Sequence, residues 1–192
     1  MNELRDAFAS ASAFLCDVVG ATPPERFASP GVGTWSVLEL IAHANRAHVT
    51  VVEYVSQPVD PATVPADYFT EASIQRRALE AVAELGDDPA GVVGRWAQRA
   101  CALVAEAPAD TVVGMPAGRM RLDEYVPSRI AELVVHGIDL VHALGAAPDV
   151  PVDALGATSA FLAGRAVQRG DGHQLVLGLS GRGRLAPRFS VY

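Results

Sequence analysis

Apolar side chains recur at intervals of three and four along most of this chain, and prolines and glycines cut the pattern into stretches of helix length. A 3.6-residue period gives each stretch one apolar stripe and keeps its backbone bonds internal, so the chain folds by packing amphipathic helices on one another. Residues 3 to 20 carry Leu4, Phe8, Ala11, Leu15 and Val18/Val19 on one face, with Gly20 as the expected C′ residue. Pro23-Pro24 and Ser29-Pro30-Gly31 make a loop, after which Thr34 or Ser36 caps a second helix to about Val55, apolar at Trp35, Leu38, Ile41 and Val52. Pro58, Pro61 and Pro65 exclude regular structure until about Glu71. Ile74, Ala78, Ala81, Val82 and Leu85 then predict a third helix ending near Gly86, and Asp88-Pro89 reads as N-cap and N1 of a fourth reaching about Glu106. A fifth helix starts between Asp123 and Ser128 and ends at Gly145, and a sixth covers Val152 to Gln168.

Two stretches depart from this period. Thr111-Val112-Val113, a Pro116/Gly118 turn and Met120-Arg121-Leu122 read as a short hairpin or irregular loop. Leu175 to Leu179 and Phe189 to Tyr192 read as short strands flanking a Gly/Arg-rich turn, which need a surface to lie on: the helices, or the same tail in a homodimer. The expected architecture is therefore all-α, with residues 1–168 as a helical bundle and residues 169–192 as a short β-like extension.

The 192 residues suffice for one domain without staples, since a chain of this length buries roughly 70% of its unfolded surface. Its apolar runs stop short of the roughly 18 residues a membrane helix needs, because His136 and Asp139 interrupt the most apolar one. Met1 to Asp6 carry acids where a secretory leader would be basic, so the expectation is a cytoplasmic protein with no membrane partner. A net charge of −7 argues against nucleic acid, and Arg76-Arg77 and Arg182/Arg184/Arg188 read as solvated surface. Cys16 and Cys101 sit far apart among apolar neighbours and read as small core residues. All 15 basic residues are arginine, a bias expected of a GC-rich, actinobacterial genome.

Glu132 and His136 stand i, i+4 on the fifth helix, one turn apart on a single face, within Leu133, Val134, Val135, Gly137 and Ile138. A carboxylate in such surroundings wants a cation. His43 is likewise polar within an apolar run, Leu40-Ile41-Ala42-His43-Ala44. Alone, each has a bland reading: the pair as a helix-stabilising contact, the histidine as a satisfied core residue. Together, two histidines and one glutamate make the ligand set of a zinc site with an open fourth position. Asp139, three residues beyond His136, can orient its imidazole or else stand as an acid on the helix surface. Arg46 and Arg129 share helix faces with His43 and Glu132 and are candidates to hold an acidic substrate, or else solvated or salt-bridged arginines. His48 and His142 lie off the ligand faces, and His173 sits in a Gly-flanked turn.

The segments Thr34-Trp35-Ser36-Val37 leading to His43, and Arg129-Ile130-Ala131-Glu132-Leu133-Val134-Val135-His136-Gly137-Ile138-Asp139-Leu140 with Ala143-Leu144-Gly145, resemble the N-terminal domain of mycothiol-dependent maleylpyruvate isomerases, in the DinB-like superfamily. The resemblance spans roughly residues 1 to 168. It implies an up-down-down-up four-helix bundle in which His43, Glu132 and His136 match the family's zinc ligands. It also implies mycothiol, or another low-molecular-weight thiol, as cosubstrate in transfer to, or cis-trans isomerisation of, a small electrophilic substrate. The larger C-terminal domain of the full isomerases has no counterpart after Gly170, so isomerisation of maleylpyruvate itself is not expected. Two other readings stand beside a thiol-dependent transferase or isomerase: a metal-dependent hydrolase or isomerase without a thiol, and a non-catalytic binding or stress protein.

Overall fold

The computed structural model describes residues 1–192 apart from Phe69, Arg188 and Tyr192, and of Glu71 the backbone alone. Its helices are α1 (Asn2–Gly20), α2 (Val37–Ser56), α3 (Glu71–Leu85), α4 (Pro89–Glu106), α5 (Leu122–Ala143), α6 (Val152–Gln168) and α7 (Gly172–Leu179). Strands β1 (Val112–Met115) and β2 (Gly118–Arg121) form an antiparallel hairpin between α4 and α5, with Met115 opposite Gly118 across the turn.

Local chemistry sets most of these boundaries. The Ser36 hydroxyl accepts from the Glu39 N–H at 3.3 Å, and the Glu39 carboxylate accepts from the Ser36 N–H at 2.7 Å, a reciprocal capping box that starts α2. Trp35 therefore lies outside the helix it was expected to join. Thr70 and Asp88 cap α3 and α4 through their side-chain oxygens, and Gly86, at φ 55°, ends α3 in a conformation that costs glycine nothing. Helix α5 begins at Leu122, ahead of the expected window, and runs through Pro127. The proline forgoes one i→i−4 bond, while the Glu124 carboxylate accepts from the Arg121 N–H at 3.2 Å and holds the first turn.

Helices α1, α2, α4 and α5 form the bundle, with α1 and α2 each packed on both α4 and α5. Tyr125, early in α5, donates to Thr50, late in α2, at 3.0 Å, whereas His136, late in α5, faces His43, early in α2. These two helices are antiparallel. Arg26, just past α1, donates to the Ala143 carbonyl at the end of α5 at 2.8 Å, so α1 and α5 run the same way. Arg5, at the start of α1, donates to the Ala107 carbonyl just beyond α4 at 2.8 Å, so α4 opposes α1. The order is up-down-down-up, as the DinB-like resemblance implies. Phe8, Leu15, Leu40, Ile41, Leu122, Ile130, Leu133 and Leu140 are fully buried along the seams. Each contributes about 1.5–3 kcal/mol on burial, more than an exposed ion pair supplies, so the apolar stripes hold the bundle together.

The tail corrects one expectation. Leu175 to Leu179, expected as a strand, belongs to helix α7, which packs on α6, and Phe189 to Val191 are irregular. A lone strand here would have no edge to pair with. A helix satisfies its own N–H and C=O groups, and leucine, the commonest residue of the stretch, is a good helix former. The extension is thus not β-like among the described residues; Tyr192, the last residue of the expected second strand, and Arg188 of the basic set lie outside them. Arg182 and Arg184 are exposed. Among the described residues no helix is long and apolar enough to cross a membrane.

Candidate metal centre

The polar side chains of the α2–α5 seam converge toward the C-terminal half of α5. His43 comes from the second turn of α2, and Glu132 and His136 from consecutive turns of α5. The Glu132 Oε2 atom is 3.2 Å from His136 Nε2 and 3.8 Å from His43 Nε2. The two imidazoles meet edge to face, with centroids 4.8 Å apart. One donor atom from each of the three residues lies within 4.8 Å of the others, the one such group of histidine, cysteine and acidic side chains among the described residues. Donors about 2.0–2.2 Å from a tetrahedral ion stand roughly 3.3 Å from one another, so the Glu132–His136 pair already has the spacing of a small divalent cation's ligands and the wider pairs would draw in around it.

The surroundings treat the two histidines differently. Burial pushes the His43 imidazole down to about 4, helped by the positive charge of His136 and opposed by Glu132. The ring is therefore neutral near pH 7, with a lone pair available. Trp35 lies against it, with ring centroids 4.4 Å apart. At His136 burial also opposes the charge, but the carboxylates of Glu132 and Asp139 outweigh it and hold the imidazole above its ordinary value. Asp139 Oδ2 sits 3.2 Å from His136 Nδ1, so a proton on Nδ1 is donated to Asp139 and Nε2 is left facing Glu132. This is the arrangement by which a carboxylate orients an imidazole ligand.

The two candidate substrate arginines flank the triad on separate sides. Arg129 packs over the Tyr125 ring at 5.0 Å, donates through Nε to the Ser128 hydroxyl at 3.1 Å and approaches Glu132 Oε1 to 3.9 Å. Arg46 pairs with Glu53 at 3.7 Å and lines, with His43, Tyr68 and Arg77, a cavity of about 170 Å³. On the other flank Ser128, Arg129, Glu132, Phe161, Arg165 and Val191 line a cavity of about 280 Å³. Three of these, Phe161, Arg165 and Val191, escaped the reading of the sequence. They lie on α6 and the tail, and the one visible signal was a single arginine in the otherwise small and apolar run Leu162-Ala163-Gly164-Arg165-Ala166.

The remaining imidazoles stay apart. His48 is fully buried, with its ring nitrogens 3.1 Å from the Ser12 hydroxyl and 3.3 Å from the Asn45 amide oxygen, a satisfied core histidine. His142 and His173 are exposed. Cys16 and Cys101 are free and pack half-buried against the core; burial pushes the Cys16 thiol up to about 11 and raises that of Cys101. Neither is a thiolate at neutral pH.

Searches of curated proteins and of solved structures returned no match to the chain. The sequence model of one family, described as the mycothiol maleylpyruvate isomerase N-terminal domain, matches residues 4–141. That span holds α1 to α4, the hairpin and α5 as far as Val141, with His43, Glu132 and His136 inside it. This chain belongs to the mycothiol maleylpyruvate isomerase N-terminal domain family.

Proposed function

We propose that this protein is a metal-dependent transferase or isomerase in which His43, Glu132 and His136 hold a divalent ion, zinc by the chemistry of the donor set, beside sites for a low-molecular-weight thiol and a small electrophilic substrate. The observation that carries the reading is the convergence of three donors, two imidazoles and a carboxylate, within a domain of this family. Three protein ligands are the pattern of zinc sites that keep an exchangeable position. Zinc supplies there a Lewis acid that favours the thiolate form of a bound thiol at neutral pH.

The chain's own residues have separable roles in this reading. Glu132 brings the negative charge that offsets the cation, and Asp139 fixes the ring of His136 through Nδ1. Trp35 shields one side of His43 from water. Since burial keeps the protein's own thiols protonated, the nucleophile comes from a cosubstrate, and mycothiol is the thiol to which the family points. Arg46 and Arg129 stand where they orient charged groups of the ligands on the two flanks.

Elemental analysis of protein purified without a metal-affinity tag tests this directly. About one divalent ion per chain, lost in both His43→Ala and Glu132→Ala, is the expected result. Absence of metal after reconstitution with zinc overturns it. With metal bound, turnover of electrophiles only when thiol is added supports the transferase or isomerase; turnover without thiol replaces it with a hydrolase or thiol-independent isomerase.

A further inference from the structure

The cavity of about 280 Å³ beside Glu132 has two sources. Ser128, Arg129 and Glu132 belong to α5 and to the span shared with the family, whereas Phe161 and Arg165 on α6 and Val191 in the tail lie beyond residue 141. Part of the wall next to the triad is therefore built by α6 and the tail, beyond the matched residues.

Its charges are unequally satisfied. Arg129 approaches Glu132 and donates to Ser128, so its charge is partly spent inside the protein. Arg165, which is exposed, makes no ion pair or side-chain hydrogen bond to the protein among the described residues, so its charge is met by water alone and is available to a ligand in the same cavity. A guanidinium remains charged at any physiological pH, and its planar fork matches a carboxylate. Phe161 and Val191 add an aromatic and an aliphatic surface beside it. At about 280 Å³ the cavity lies just below the range for ligand pockets, roughly 300–1,000 Å³, which limits the guest to a few carbon atoms.

We propose that this cavity is a subsite for a small carboxylate with a short apolar body, its anion taken by Arg165 and Arg129 and its body packed against Phe161 and Val191. Arg165 is then a specificity-determining residue contributed by α6, beyond the matched residues 4–141. The assignment deepens the metal-dependent reading, because the subsite opens beside Glu132, but the anion contact itself needs no metal.

Hexanoate and its neutral analogue hexanamide are suitable probes, titrated calorimetrically into the full chain with zinc and with chelator. The unaltered protein binds hexanoate at least tenfold more tightly than hexanamide. Arg165→Gln, which keeps most of the side chain's bulk without its charge, weakens hexanoate at least tenfold and leaves hexanamide unchanged. Arg169→Ala, which removes an arginine paired with Asp171 away from the cavity, changes neither. Equal binding of the two probes, no binding of hexanoate, or hexanoate binding indifferent to Arg165→Gln overturns the subsite. Arg165-dependent binding in protein that takes up no zinc retains the subsite and removes the metal reading, while one zinc per chain with Arg165-independent binding does the reverse.

Discussion

At the scale of single residues, the imidazole of His136 has a carboxylate on each side: Glu132 at Nε2 and Asp139 at Nδ1, each at 3.2 Å. Only one of these can share an ion with it. Asp139 meets Nδ1, the nitrogen opposite the one that faces Glu132, so its work is to fix the tautomer and the ring plane. Asp139→Asn keeps the shape but loses the charge, and metal affinity then falls roughly 10- to 100-fold with the fold intact. Competition with a chromophoric chelator measures this, and an unchanged affinity would leave Asp139 as a surface acid. The triad was legible in the sequence because i, i+4 spacing is a local rule, and because polar residues in apolar runs stand out. Trp35 and Arg165 were not, since a ring packed on His43 and a guanidinium beside Glu132 depend on how distant segments meet. His48 shows the same limit from the other side. It occurs in a context as apolar as that of His43, and although Asn45 lies one turn before it on the same helix, the partner that satisfies its other nitrogen, Ser12, is brought in from α1 by the fold.

At the scale of elements, α1 meets α5 tightly at Gly137. A Cβ there would run into the ring of Phe14, which is itself buried. Gly137→Ala gains about 1 kcal/mol of helix propensity and incurs roughly 1–3 kcal/mol of overpacking, so the expected outcome is a net loss of stability in urea unfolding. Because Gly137 follows His136, the displaced helix also moves a ligand, and zinc affinity should fall alongside stability; a variant as stable as the parent would show that Phe14 rotates freely aside. The helices themselves were readable wherever a cap or breaker closed a periodic run, as at Ser36, Gly86 and Asp88-Pro89. The tail misled because Leu175-Val176-Leu177-Gly178-Leu179 is too short and too uniformly apolar for period to separate strand from helix, and the lack of a pairing edge decided the matter.

At the scale of the whole molecule, stability couples to what the folded state binds. An ion that binds only the folded chain raises stability by RT ln(1 + [L]/Kd), so a chelator lowers the melting temperature of the parent and leaves Glu132→Ala unmoved. Protons act in the opposite sense through His48. Burial pulls this imidazole from 6.5 to about 4 in the folded state, and its neighbours Ser12, Asn45 and Phe8 bring no carboxylate to offset the cost of charging it. Between those values the unfolded chain binds the proton that the folded chain refuses. Stability is thus full above about 6.5, declines as pH falls toward 4 and levels off below, a total loss of about 3 kcal/mol from this one group. Urea unfolding in chelator at pH 7.5 and pH 4.5 isolates the effect when the parent is set against His48→Gln, since the similar depression at His43 is common to both and cancels. The parent should lose about 2–3 kcal/mol more than the variant between the two conditions, whereas equal losses would place the acid sensitivity of the bundle elsewhere, with His43 the next group to test.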